Sequence, residues 1–133
     1  WNDFFVGYLV GRTLVGGRAE DLLIAARHLS ELKIGGRSGP VALSATGSVG
    51  VPALHAAVLE PQLFGGAEIA GSLTSWTDFV ANPTAPGHLA NTVHGALGAY
   101  DLPDLVAALA KDRIRTTNPV DSRAGGERPS PRK

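Results

Sequence analysis

Apolar positions fall into short runs cut apart by glycine and proline, and the period of each run predicts its conformation. Phe4, Phe5, Val6, Tyr8, Leu9 and Val10 are apolar nearly all round, and with the following Gly11-Arg12-Thr13-Leu14-Val15 they predict a short helix ending near Gly16. Over residues 18–32, Leu22, Ala25, Ala26, Leu29 and Leu32 recur at the spacing of one helical face, with Glu20, Arg27, Ser30 and Glu31 largely elsewhere, which predicts an amphipathic helix. Gly35, Gly36, Gly39 and Pro40 end it and lead into Val41-Ala42-Leu43-Ser44-Ala45-Thr46, a run of the kind buried in a parallel sheet. Gly47-Ser48-Val49-Gly50 then turns the chain into a helix over 51–59, where Pro52 is tolerated in the first turn.

Residues 63–70 predict a second strand, which a right-handed crossover places parallel to the first. The polar stretch 71–87 holds a helical turn at 75–80, broken at Asn82-Pro83. Residues 88–97 predict a helix, and Asp101 as N-cap with Asp104 three positions on starts another that runs to Leu109. Arg113-Ile114-Arg115-Thr116-Thr117 is a third strand. From Ser122 onward, glycine, proline and basic residues cannot bury a core, so 122–133 is expected to be a disordered tail. Alternation of helix and strand predicts an α/β fold: three layers, with a short parallel sheet of about three strands flanked by helices.

Composition narrows the chemistry. At 133 residues the chain holds one domain of ordinary size. Its 12 basic and 12 acidic residues balance, without the charge excess of a nucleic-acid or anionic-membrane binder. There is no cysteine, so disulfides, thiolate nucleophiles and thiolate zinc sites drop out. No window approaches the ~20 apolar residues of a membrane span, and nothing has the order of a signal peptide. The chain lacks methionine and begins at Trp1, which reads as a processed product or a piece.

Thr46-Gly47-Ser48-Val49-Gly50 lies between a buried strand and a helix and matches G-x-S-x-G, with threonine for the first glycine. Ser48 is the candidate nucleophile. Small residues are needed beside it because the turn presses strand and helix backbones together. The Val49 N–H would face a developing oxyanion, aided by the positive end of the following helix. The alternative is that Gly47-Ser48 simply caps that helix. Seven residues along a helix put His55 about 10 Å from Ser48, too far for a base, so it reads as a surface or interface residue. His28 has no reason to reach the strand ends, whereas His88 and His94 follow the second strand and could fold over the sheet. No histidine pair has metal-ligand spacing. Asp121 follows the third strand at its carboxyl end, the edge where open α/β sheets bind ligands, and reads equally as an orienting acid or a turn residue. Asp101 and Asp104 read as caps and Asp78 as a loop or first-turn charge, while Glu68 is either a buried site carboxylate or a solvent-facing residue of an edge strand.

The stretch from Gly11 to Asp21, with Ala25-Ala26-Arg27-His28-Leu29, resembles the α/β-hydrolase superfamily, in particular its acetylxylan-esterase and prolyl-oligopeptidase-like branch. The resemblance continues through 41–61 with its P-A-L-H-A-A-x-L-E-P, through Gly95-Ala96-Leu97 and Tyr100-Asp101-Leu102-Pro103-Asp104-Leu105, to Asn118-Pro119-Val120-Asp121. It implies a partial hydrolase domain over 1–121, running from nucleophile elbow to acid loop. It carries the nucleophile onto Ser48, one oxyanion N–H onto Val49 and the acid onto Asp121. The expected activity is hydrolysis of a small ester or peptide-like acyl substrate, without metal or cofactor. Thr46 departs from the pattern, the strands expected before the first helix are missing, and no histidine follows Asp121, where the family places its base. Little activity is therefore expected of the chain alone. The alternative function is a non-catalytic module of the same fold that uses 71–87 for binding or assembly. The bared sheet edge predicts self-association, with neither nucleic acid nor membrane as partner.

Overall fold

The computed structural model describes residues 2–32, 38–82 and 89–120. Among the described residues, five α-helices and three strands follow one another as α1 (Asn2–Leu9), α2 (Leu14–Glu31), β1 (Val41–Thr46), α3 (Gly50–Leu59), β2 (Phe64–Ala70), α4 (Trp76–Ala81), α5 (Leu102–Ala108) and β3 (Ile114–Thr117). The strands form one parallel sheet in the order β1-β2-β3. The α/β alternation and the three short strands expected from the pattern are thus present, with β1 at the predicted bounds.

Strand register divides the sheet into two unlike faces. Leu43, Ala67 and Ile114 lie in one cross-strand row and Ala45, Ile69 and Thr116 in another; α2 and α3 pack on this face over β1 and β2, whereas Thr116 of β3 is exposed. On the opposite face Ser44, Glu68 and Arg115 form a row, and with Ala42 and Thr46 they are exposed. The described residues therefore make two layers where three were expected. Glu68 is exposed because this face is bare; it is not an edge residue, since β2 is the central strand.

Two helices depart from the sequence pattern for local reasons. α1 stops at Leu9, earlier than Gly16, because Gly11 takes a left-handed φ of 73°. Gly11 N–H then bonds to Tyr8 O and Arg12 N–H to Gly7 O, satisfying two terminal carbonyls as in a Schellman cap. Thr13 restarts the helix at once, its Oγ1 accepting the Gly16 N–H at 2.9 Å, so Gly16 and Gly17 lie inside α2. The buried face of α2 is consequently Val15, Ala19, Leu23 and Ala26, whereas Ala25, Leu29 and Leu32 are exposed. The stripe is displaced toward the start of the helix, and α2 packs on α3.

Residues 89–98 form two 3-10 turns, Leu89–Asn91 and Ala96–Gly98, in place of the expected helix. Thr92 Oγ1 donates to Leu89 O at 2.7 Å and Gly95 adopts a φ of 73°, both of which compete with helical propagation. α5 begins as expected: Asp101 accepts at the helix start while the Asp104 carboxylate accepts the Asp101 N–H. Below these elements Val15, Val51, Pro52 and Leu102 are the largest fully buried side chains, in a core otherwise rich in alanine. The expected tail and Asp121 lie outside the described residues.

Candidate functional site

β1 ends at Thr46, and Gly47, at a φ of 67°, turns the chain into the 3-10 turn Gly47–Val49 that leads straight into α3. A Cβ on Gly50 would lie 2.4 Å from Ser72 Oγ and 2.8 Å from Ile69 Cγ2, so the start of α3 is pressed onto the end of β2. This is the close approach expected beside Ser48. Thr46, by contrast, is exposed, so its side chain is not pressed into this junction.

Ser48 and Val49 sit together on the outer shoulder of the turn, Ser48 exposed and Val49 46% exposed. Among the described residues only Asn118 is a non-glycine with positive φ, so the left-handed residue of the turn is Gly47 and the Ser48 backbone is unstrained. The Gly50 N–H donates to Gly47 O, closing the turn.

None of the described imidazoles meets Ser48. His55 Nδ1 lies 2.8 Å from Val51 O and Nε2 3.0 Å from Tyr100 Oη, so both ring nitrogens are engaged. A carbonyl only accepts, so Nδ1 carries the proton and Nε2 accepts from the tyrosine hydroxyl. Burial pushes the His55 pKa down, against a smaller upward pull from the Val51 carbonyl, which favours this neutral form. Burial likewise raises the Tyr100 phenol. The ring is half-buried, with Trp76 and Tyr100 at centroid distances of 5.7 and 5.8 Å, where a surface or interface residue was expected. His28 is exposed on α2, and His94 packs edge-on against Tyr8 at 5.2 Å. His88 and Asp121 lie outside the described residues. Among the described residues, no group of three or more His, Asp or Glu could hold a metal ion.

No family model, curated protein or solved structure matches the chain. The functional reading rests on the geometry of its own residues.

That geometry gathers the ends of all three strands. Gly71 N–H bonds to Thr117 O, Val120 N–H bonds to Ser72 O, and Leu73 bridges Val120 in parallel. The chain leaving β3 is thereby held along the chain leaving β2, at the sheet edge where Ser48 stands. Strands lie about 4.8 Å apart, so the carboxyl ends of β1 and β3 are about 10 Å from each other across β2.

A second feature escaped the sequence pattern. α1, α4 and residues 89–98 border a solvent-open cavity of about 460 Å³ that Phe4, Phe5, Tyr8, Trp76 and Phe79 line from opposite halves of the chain. The available signal was α1 itself, whose apolar residues are too many for one buried face: Phe5, Val6, Tyr8 and Leu9 are 50, 60, 47 and 82% exposed.

Proposed function

We propose that the chain carries the nucleophile strand, turn and helix of a serine hydrolase of α/β-hydrolase type, acting on ester or peptide-like acyl bonds. The observation that carries this is the placing of Ser48 and the end of β3 on one sheet edge, two strand spacings apart. In the sequence Asp121 directly follows Val120, and a hydrolase of this type needs an acid beyond that strand to orient its imidazole. Ser48 Oγ attacks the acyl carbon, Val49 N–H stabilises the oxyanion, and Asp121 orients an imidazole supplied from outside the described residues. Without that imidazole the serine is a weak nucleophile, and activity falls by several powers of ten.

A fluorophosphonate probe tests this on folded protein, with and without added imidazole as a surrogate base. Labelling that rises with imidazole and vanishes in Ser48→Ala supports the proposal. No labelling under either condition, or labelling that survives Ser48→Ala, overturns it. A second reading, a non-catalytic module of the same fold, is favoured by the unstrained Ser48 backbone and by the engagement of both His55 nitrogens elsewhere. It predicts no labelling under any condition.

A further inference from the structure

The chain has only two Trp, two Tyr and four Phe. Five of these rings, Phe4, Phe5, Tyr8, Trp76 and Phe79, converge on the one cavity between α1, α4 and residues 89–98. Such concentration exceeds what core packing needs, because Phe5 and Tyr8 stay about half exposed and Val80 on the same wall is 63% exposed. At about 460 Å³ the space falls within the range of about 300–1,000 Å³ typical of small-molecule sites.

The polar groups of the wall define what it accepts. Arg12 is the one charged side chain among the described lining residues, and its guanidinium is paired with Glu20. Trp76 Nε1 donates to Asn91 O at 2.8 Å, Thr92 Oγ1 donates to Leu89 O, and Thr13 Oγ1 accepts from Gly16 N–H. These groups are committed within the protein, so the described wall offers a ligand charge no unpaired partner, while its rings favour an uncharged ligand. The Tyr8 hydroxyl and the His94 ring remain as polar handles. The rings meet edge to face, Phe4 on Phe5 and Tyr8 on His94 both at 83°, an arrangement that a further ring extends favourably and an alkyl chain does not.

We propose that this cavity binds an uncharged, flat, aromatic small molecule. None of residues 47–50 lines it, so the site is independent of Ser48 and stands whichever reading of the serine holds.

The test uses N-phenyl-1-naphthylamine as the neutral probe and 8-anilinonaphthalene-1-sulfonate as its charged counterpart, on protein shown to melt cooperatively. In a Trp1→Phe background, energy transfer from Trp76 reports occupancy of this site. The expected result is saturable binding of one neutral probe per chain, with the sulfonate at least about tenfold weaker. Displacement by 2-naphthol should exceed that by an aliphatic alcohol of similar volume. Val80→Glu, at an exposed position that should not disturb folding, should weaken binding by at least about tenfold at unchanged Tm. Absence of saturable binding, equal binding of the sulfonate, equal displacement by the aliphatic alcohol, or binding indifferent to Val80→Glu would each overturn the proposal.

Discussion

At Asp101 four donors converge on two carboxylate oxygens. Oδ1 accepts from the N–H groups of Trp76 and Leu102, each at 2.7 Å, and Oδ2 accepts from Ser75 Oγ at 2.6 Å and from Thr77 N–H at 3.2 Å. One side chain thus caps its own helix, α5, and ties down the first turn of α4. Burial raises its pKa, but the hydrogen bonds from Ser75, Trp76, Leu102 and Thr77 outweigh it and hold the carboxyl at about 2. The folded pKa lies below the unfolded value of about 3.9, so the stabilisation is complete above that value and is lost as pH falls from about 4 through 2. The residue is only part-buried, and solvent screening reduces the contribution to about 1 kcal/mol. Asp101→Ala should cost about 1–2 kcal/mol at neutral pH, and the gap to wild type should close near pH 2. Urea unfolding across that range checks both. A gap that stayed constant with pH would mean that the carboxylate charge is not what ties the two helices.

Between elements the tightest fit is α3 on β2 at Gly50. Ser72, 6% exposed, has no room to turn aside from a new methyl group 2.5 Å from its own Cβ. Gly50→Ala should therefore destabilise by about 1–3 kcal/mol although alanine favours helices, and Ser72→Gly in the same chain should restore part of the loss. Denaturant midpoints decide this, and a neutral or stabilising Gly50→Ala would remove the close approach. The same junction shows what the sequence made legible. β1, the turn and α3 are written locally, as an apolar run, a left-handed glycine and a helix whose proline sits in its first turn. Ser48 stands out for that reason. The face of α2 is not local: its stripe faces the contact with α3, and Leu29 and Leu32 keep the helical spacing yet stay 44 and 42% exposed. Residues 89–98 carry a helical composition that Thr92 and Gly95 overrule through backbone bonding and a left-handed φ. The aromatic cavity was illegible because its walls, α1 and α4, lie far apart in the sequence and only the tertiary fold brings them to one space.

At the scale of the molecule, the bare sheet face and the free side of β1 act together. β3 is protected as an edge by Arg115 and by Lys111, Asp112 and Arg113 just before it. β1 pairs on one side only among the described strands and carries no charge from Val41 to Thr46, so nothing opposes a second strand adding to it. Its neighbouring open face, with Ala42, Ser44 and Thr46 exposed, is built of small side chains that a second copy can approach closely. We propose that the chain self-associates through this edge. Sedimentation velocity over a range of concentrations should show a reversible shift from monomer to dimer or larger. Ser44→Lys places a charge on the exposed side of β1 without touching the core, and should move the equilibrium toward monomer at unchanged Tm. Arg115→Ala should move it the other way by unmasking the β3 edge. A wild-type protein that sediments as a single monomeric species at every concentration would show that the open sheet is inert.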